Sequence, residues 1–122
     1  MDNLDEGYRL IGKTTIDPEV LVTIARLTAL DVPGVSRMAA NPRTKDRFFT
    51  RGGSEGIRVE IQEDQVFVDL YLVLKNDVGI LQVSRQVQSE VSRSIAEMVG
   101  MRIGQINIHV EDIDFSTEGE SL

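Results

Sequence analysis

The sequence predicts one α+β domain, a two-layer sandwich with two helices on one face of a mostly antiparallel sheet. Its 122 residues, 41% hydrophobic and 27% charged, fit a single globular domain. Two segments have the periodicity of amphipathic helices, and four have the composition or alternation of β-strands. Their order is β-α-β-β-α-β. We expect a domain at residues 9–113, a flexible N-terminus at 1–8 and an acidic flexible tail at 114–122.

The first half of the domain contains one strand and one helix. Residues 9–16 include several β-branched side chains and predict a strand. Asp17 followed by Pro18 predicts a helix start, because aspartate caps free backbone N–H groups and proline is tolerated at the first helical position. The helix should end near Leu30, before a Pro-Gly pair. Residues 36–56 contain one proline and three glycines and predict a long connection.

The second half predicts a hairpin, a helix and a final strand. Apolar and polar residues alternate from residue 57 to residue 75, with a turn at 63–64. Alternation places Phe67 and Tyr71 on the sheet face away from the helices. An apolar stripe from residue 80 to residue 98 predicts an amphipathic helix that ends at Gly100, and residues 105–110 predict the last strand. We expect the chain after Glu111 to be frayed.

The charge distribution limits the classes of partner. The chain has 13 Lys and Arg against 20 Asp and Glu, a net charge of −7, and this repels phosphate backbones and anionic lipids. Residues 36–54 differ, since five basic residues and one aspartate give them +4 and leave −11 for the rest. The N-terminus is acidic and no apolar run is long enough to span a bilayer. We therefore expect a cytoplasmic protein without direct membrane insertion.

The residues that enzymes use most often are scarce. There is no cysteine, which excludes disulfides, thiolate metal sites and a cysteine nucleophile. The single histidine, His109, lies on a predicted strand without a recognisable nucleophile nearby. Asp112 and Asp114 have the initial spacing of a calcium loop, but Thr117 replaces the required glycine and the chain ends before the twelfth ligand. We expect no catalytic residue, no cofactor and no metal.

An alternative function is the binding of RNA or single-stranded DNA. The connection interleaves basic and aromatic side chains, and Phe67 and Tyr71 on an open sheet face could stack bases. Asp69 between the two aromatics and the negative net charge argue against this function. The aromatics of the connection could instead cover the sheet edge or the helix ends. The candidate loop contacts are Arg43, Lys45, Arg47, Phe48, Phe49 and Arg51.

A second interpretation is an interaction module. The first helix has apolar residues almost all round, with Val22, Ala25 and Ala29 opposite the sector of Val20, Ile24 and Leu27, so one core should not bury them all. The second helix has a face with few charges, as interface cores do. The candidate interface is therefore Val22, Ala25, Ala29, Gln82, Gln86 and Ser89.

The order of several short blocks points to a family. Gly-Lys-Thr-Thr-Ile at residues 12–16, Val-Pro-Gly-Val at 32–35, the strand at 66–72 and Ile-Asn-Ile-His-Val at 106–110 resemble the alkaline-shock and general-stress envelope proteins, the Asp/Gls type. The resemblance covers residues 9–113. It implies a bacterial, non-enzymatic, self-associating scaffold in envelope homeostasis or stress, held near the membrane by a membrane-bound partner. It carries over no catalytic residue.

Overall fold

The computed structural model describes residues 14–40, 53–54 and 56–116, and they form two helices and five strands. The predicted α+β class is confirmed. The helices are α1 (Pro18–Leu30) and α2 (Ile80–Val99). The strands are β1 (Val35–Met38), β2 (Gly53–Ser54), β3 (Ile57–Gln62), β4 (Gln65–Lys75) and β5 (Arg102–Asp114).

The central strand of the sheet is β4. β3 pairs antiparallel with its first half, β1 pairs antiparallel with its second half along the same edge, and β5 runs parallel to it along the other edge. β2 extends the sheet beyond β3. The strand pairs are thus mostly antiparallel, as the sequence predicts, and the β4–β5 pair is parallel.

Local sequence explains the predicted turns and caps. The side chain of Asp17 accepts a 3.0 Å hydrogen bond from the backbone N–H of Glu19 and caps α1. Glu63 and Asp64 adopt positive φ angles and form the two-residue hairpin turn between β3 and β4. Gly100 ends α2 in the left-handed conformation, where a residue without a Cβ fits best.

Two strand predictions differ from the structure. Residues 9–13 of the predicted first strand lie outside the described residues, and Thr14 to Ile16 are not in a strand. The interpretation of residues 36–56 as a connection is wrong at both ends, where β1 and β2 form. β1 has only four residues and a bulge between Val35 and Arg37, so it has no period-two pattern for sequence reasoning to detect.

Both helices pack on one face of the sheet and enclose the core. α1 contacts β1, β2, β3 and α2, whereas α2 lies over β5. Fully buried side chains alternate along β4, at Val66, Val68, Leu70, Leu72 and Leu74. Leu21 of α1 and Ile95 of α2 also belong to this core and are 0% exposed.

The end of β5 is ordered further than the sequence suggests. The expected fraying after Glu111 is wrong for the next residues, because Asp112 and Asp114 pair with Val73 and Lys75 of β4. The carboxylate of Asp114 also receives a 2.5 Å hydrogen bond from the hydroxyl of Ser36. Strand pairing and this hydrogen bond hold residues 112–114 against the sheet.

Candidate functional site

The solvent side of α1 carries large apolar side chains. Val20 is 47% exposed, Leu27 is 60% exposed and Leu30 is 40% exposed. Val20 and Leu27 are seven residues apart and therefore lie on the same side of the helix, with Leu30 at its edge. We call these three residues the α1 stripe. A stripe of this kind on the surface is a candidate contact for another molecule.

The predicted interface residues of α1 lie elsewhere. Val22 is 1% exposed, and Ala25 and Ala29 are 0% exposed, so all three belong to the core. Their assignment to an interface is wrong. α1 rests on the sheet and also packs laterally against α2, so two of its sides are buried instead of one. The small side chains of Ala25 and Ala29 suit this close packing.

A groove runs between the C-terminal half of α1 and the middle of α2. Its volume is about 500 Å³. The hydroxyl of Thr28 in α1 donates a 3.2 Å hydrogen bond to the hydroxyl of Ser94 in α2 and joins its two walls. We call this the interhelical groove. It is lined by Leu27, Thr28, Asp31, Val32, Pro33, Gln86, Glu90 and Ser94.

Two charged residues line the groove within the described part of the chain, and both are acidic. Asp31 is exposed at the C-terminal end of α1. Glu90 lies opposite on α2 and forms a 2.6 Å ion pair with Arg93, three residues further along the same helix. Leu27 belongs both to the α1 stripe and to the groove. An apolar wall and acidic positions therefore lie side by side.

The predicted contact residues of α2 are on the surface. Gln82, Gln86 and Ser89 are all exposed, and Gln86 lines the interhelical groove. Their role in an interface stays a prediction. Gln88 from the same helix donates a 3.0 Å hydrogen bond to the backbone carbonyl of Ile106 and connects α2 to β5.

On the opposite side of the sheet, polar side chains converge on Asp69. One carboxylate oxygen accepts a 3.2 Å hydrogen bond from Asn107 and lies 3.0 Å from Nε2 of His109. The other oxygen is 3.7 Å from the guanidinium of Arg58. β3, β4 and β5 each contribute to this cluster. Pairing of β4 with β5 brings these side chains together, and sequence reasoning alone did not detect that contact.

The two aromatic residues of this open face are engaged within the sheet. The rings of Tyr71 and His109 stack, with centroids 4.3 Å apart and planes 11° apart. The ring of Phe67 lies against Gly104 so closely that a Cβ at Gly104 would be 2.5 Å from it. The open face thus has side chains that contact one another across neighbouring strands.

The loop residues Arg43, Lys45, Arg47, Phe48, Phe49 and Arg51 lie outside the described residues. Among residues 14–40, 53–54 and 56–116, no three acidic or histidine side chains form a group that could hold a metal ion. Within the same part of the chain, no helix combines the length and apolar character needed to cross a membrane.

Comparison with known proteins identifies the family. A model of the alkaline-shock protein family, described as having a "cell envelope-related function", matches residues 7–115. The chain belongs to the alkaline-shock protein family. Its relatives there include YqhY of Bacillus subtilis, 32% identical over 98% of this chain and 90% of that protein. Spy1535 of Streptococcus pyogenes is 32% identical over 84% of this chain and 80% of that protein. Both relatives are named as uncharacterized proteins.

Solved structures share the fold of this alkaline-shock family chain. One form of the MamM CTD superimposes with a TM-score of 0.54 and 15% identity, over 80% of this chain and 96% of that one. Another form has a TM-score of 0.52 and 13% identity, over 81% of this chain and 100% of that one. At this level of identity the likeness concerns the arrangement of helices and strands.

Proposed function

We propose that this protein is a non-enzymatic scaffold of the cell envelope that self-associates through its helical layer. In this proposal the scaffold lies in the cytoplasm close to the membrane and is held there by a membrane-bound protein. The observation that carries the proposal is the α1 stripe beside the interhelical groove. Membership of a family with a cell envelope-related function supports the place of action.

Burial of the α1 stripe would supply the main favourable free energy of self-association. Removing a leucine or valine side chain from water contributes about 1.5–3 kcal/mol. A stable interface buries about 1,600 Å² in total, far more than three side chains offer. The neighbouring exposed residues Gln82, Gln86 and Ser89 of α2 would supply further area with few charges.

In this proposal His109 is a structural side chain of the sheet. The only histidine of the chain stacks on Tyr71 and faces the carboxylate of Asp69. Here its described partners are a carboxylate and a phenol ring, which fix the side chain in the sheet.

The experiment that tests the scaffold is recovery of the tagged chain from its native cells after gentle solubilisation of membranes. Mass spectrometry identifies the proteins that accompany it, with and without nuclease treatment. We expect a membrane protein that stays bound after nuclease treatment. Recovery of the chain without any envelope protein would contradict the membrane-bound partner.

The stress role is tested in cells that lack the protein. These cells are exposed to an alkaline shift, and a growth or lysis defect would support the role.

Self-association needs a separate measurement on the purified chain. Sedimentation velocity over a hundredfold range of protein concentration gives the mass of the species in solution. We expect the weight-average mass to rise with concentration above that of a 13.6 kDa monomer. A constant monomer mass would contradict self-association and leave the membrane-bound partner to be judged by the recovery experiment.

A further inference from the structure

We propose that the interhelical groove binds residues 41–52 of a second copy of the same chain. This inference rests on the self-association proposed above and adds the surface and the segment that carry it. The segment is basic and aromatic, whereas the groove is acidic and has an apolar wall.

The groove offers a small apolar contact flanked by carboxylates. Leu27 is 60% exposed, and Val32 and Pro33 extend its apolar wall. Among the residues that the structure describes, Asp31 and Glu90 are the charged ones that line it, and Glu90 is also paired with Arg93. A ligand for such a groove needs one or two apolar side chains next to cations, because each group then meets its complement.

Residues 41–52 of this sequence have that composition. The segment reads Asn-Pro-Arg-Thr-Lys-Asp-Arg-Phe-Phe-Thr-Arg-Gly, with four cations, one aspartate and two adjacent phenylalanines. The chain outside residues 36–54 carries −11, so electrostatic attraction favours contact of this segment with the acidic body of the protein. Phe48 and Phe49 would pack against the apolar wall that includes Leu27.

The position of the two ends of the segment favours binding between copies. Ala39, just before the segment, donates a 2.8 Å backbone hydrogen bond to Tyr71, and Gly53, just after it, pairs with Arg58. Both ends therefore lie at the β1–β3 side of the sheet. α1 covers this side and separates it from α2. The groove opens between the two helices, on the other side of α1.

A segment that reached its own groove would have to cross α1 and return. A helix with its side chains is about 10–12 Å thick. A chain of 12 residues spans about 40 Å when fully extended, which leaves little length for contacts inside the groove. A second copy can approach the groove without this detour. We therefore assign the groove to the segment of a partner copy.

The first test uses a fluorescent peptide with the sequence of residues 41–52 and the full-length chain. We expect saturable binding in fluorescence anisotropy. D31K should weaken this binding at least tenfold, because it places a cation where the peptide's cations would lie. The fold should survive D31K, since Asp31 is exposed and a cation at a helix C-terminus is favourable. E63K, a reversal in the distant hairpin turn, is the matched control and should leave binding unchanged.

The second test distinguishes binding between copies from binding within one copy. The variant D31K has an altered groove and an intact segment, and the double variant K45E/R47E has the opposite defect. We expect each variant alone to self-associate at least tenfold more weakly than the parent. An equimolar mixture should regain association, because the intact segment of one variant meets the intact groove of the other.

The outcomes separate this inference from the proposed function. Self-association that is unchanged in both variants would overturn the groove assignment and leave the scaffold in place. Peptide binding by a chain that stays monomeric would overturn the role of a second copy. Absence of peptide binding would overturn the inference directly. Regained association of the mixture would support it.

Discussion

The hydroxyl of Ser36 in β1 donates a 2.5 Å hydrogen bond to the carboxylate of Asp114 at the end of β5, although 78 residues separate them in sequence. Because β1 and β5 flank β4 on opposite edges, this contact connects the two outer strands across the central one. Arg37 adds an ion pair with the same carboxylate at 3.2 Å. The last residue of the sheet is thereby tied to its first strand.

This contact predicts an acid-dependent component of stability. The hydroxyl of Ser116, the hydroxyl of Ser36 and the N–H of Ser116 lower the pKa of Asp114 to about 2, with a smaller contribution from Arg37. An unfolded aspartate has a pKa of about 3.9, so the folded state binds fewer protons between these values. The stabilisation is fully present above the unfolded pKa and is lost as the pH falls towards 2.

Urea denaturation at several pH values checks this prediction. We expect D114N to be less stable than the parent near neutral pH, and the difference should shrink as the pH falls from 5 to about 2. D64N, an exposed position in the hairpin turn, is the matched control. If the stability difference between D114N and the parent stays constant over this pH range, the ionisation of Asp114 does not contribute to stability.

Two leucines of α1 should respond differently to truncation. Leu21 is 0% exposed and Leu27 is 60% exposed. Leu21→Ala removes core contacts and leaves a cavity, so its free energy of unfolding should fall by about 2–5 kcal/mol. Leu27→Ala should stay within about 0.5 kcal/mol of the parent. Thermal or urea denaturation measures both. Equal losses of unfolding free energy in the two variants would contradict the buried position of Leu21 and the exposed position of Leu27.

The same exposed leucine should control self-association. Leu27→Glu replaces the apolar side chain that the α1 stripe and the groove share with a charged one, so the apolar contact is lost. We expect the monomer to persist at concentrations at least tenfold higher than for the parent in sedimentation velocity, with an unchanged circular dichroism spectrum. Thr23→Glu, another exposed position of α1, is the matched control. Parent-like association of Leu27→Glu would exclude the stripe from the interface.

Sequence reasoning predicted the elements whose signals are local. The cap at Asp17, the turn at Glu63 and Asp64 and the stop at Gly100 each depend on a few adjacent residues. The buried side of α1 could not be predicted in this way. Its apolar residues surround the helix, and the lateral packing of α2 against α1 decided that Val22 is in the core and Leu27 in solvent.

The polar cluster on the open face shows the same limit. Alternation along β4 placed Asp69 and Tyr71 on that face, but their partners come from β5. Only the register of the parallel β4–β5 pair brings His109 beside Tyr71 and Asn107 beside Asp69. A register between distant segments has no local signal in one sequence. The contact with Asp69 therefore became visible only in the structure.

Two glycines with the same backbone conformation should differ in their tolerance of alanine. Gly56 and Gly100 both have φ of +80°. A Cβ at Gly56 would lie 2.9 Å from the carbonyl oxygen of Ala39 and 3.0 Å from that of Tyr71, whereas a Cβ at Gly100 meets nothing within 4 Å. Gly100→Ala should cost about 1–2 kcal/mol for the left-handed conformation. Gly56→Ala should cost more, since backbone atoms must also move. Urea denaturation of both variants tests whether Gly56→Ala costs more stability than Gly100→Ala.

The aromatic side chains of the open face bear on the alternative function in nucleic-acid binding. Base stacking needs free aromatic faces, whereas the ring of Tyr71 is stacked on His109 and Phe67 lies against Gly104. Asp69 between them adds a negative charge that opposes phosphate. We therefore expect a fluorescent single-stranded RNA to show no binding in anisotropy at physiological salt, and Tyr71→Ala to leave this unchanged. Binding that weakens steeply between about 50 and 200 mM salt, and is lost in Tyr71→Ala, would instead identify the open face as a nucleic-acid site.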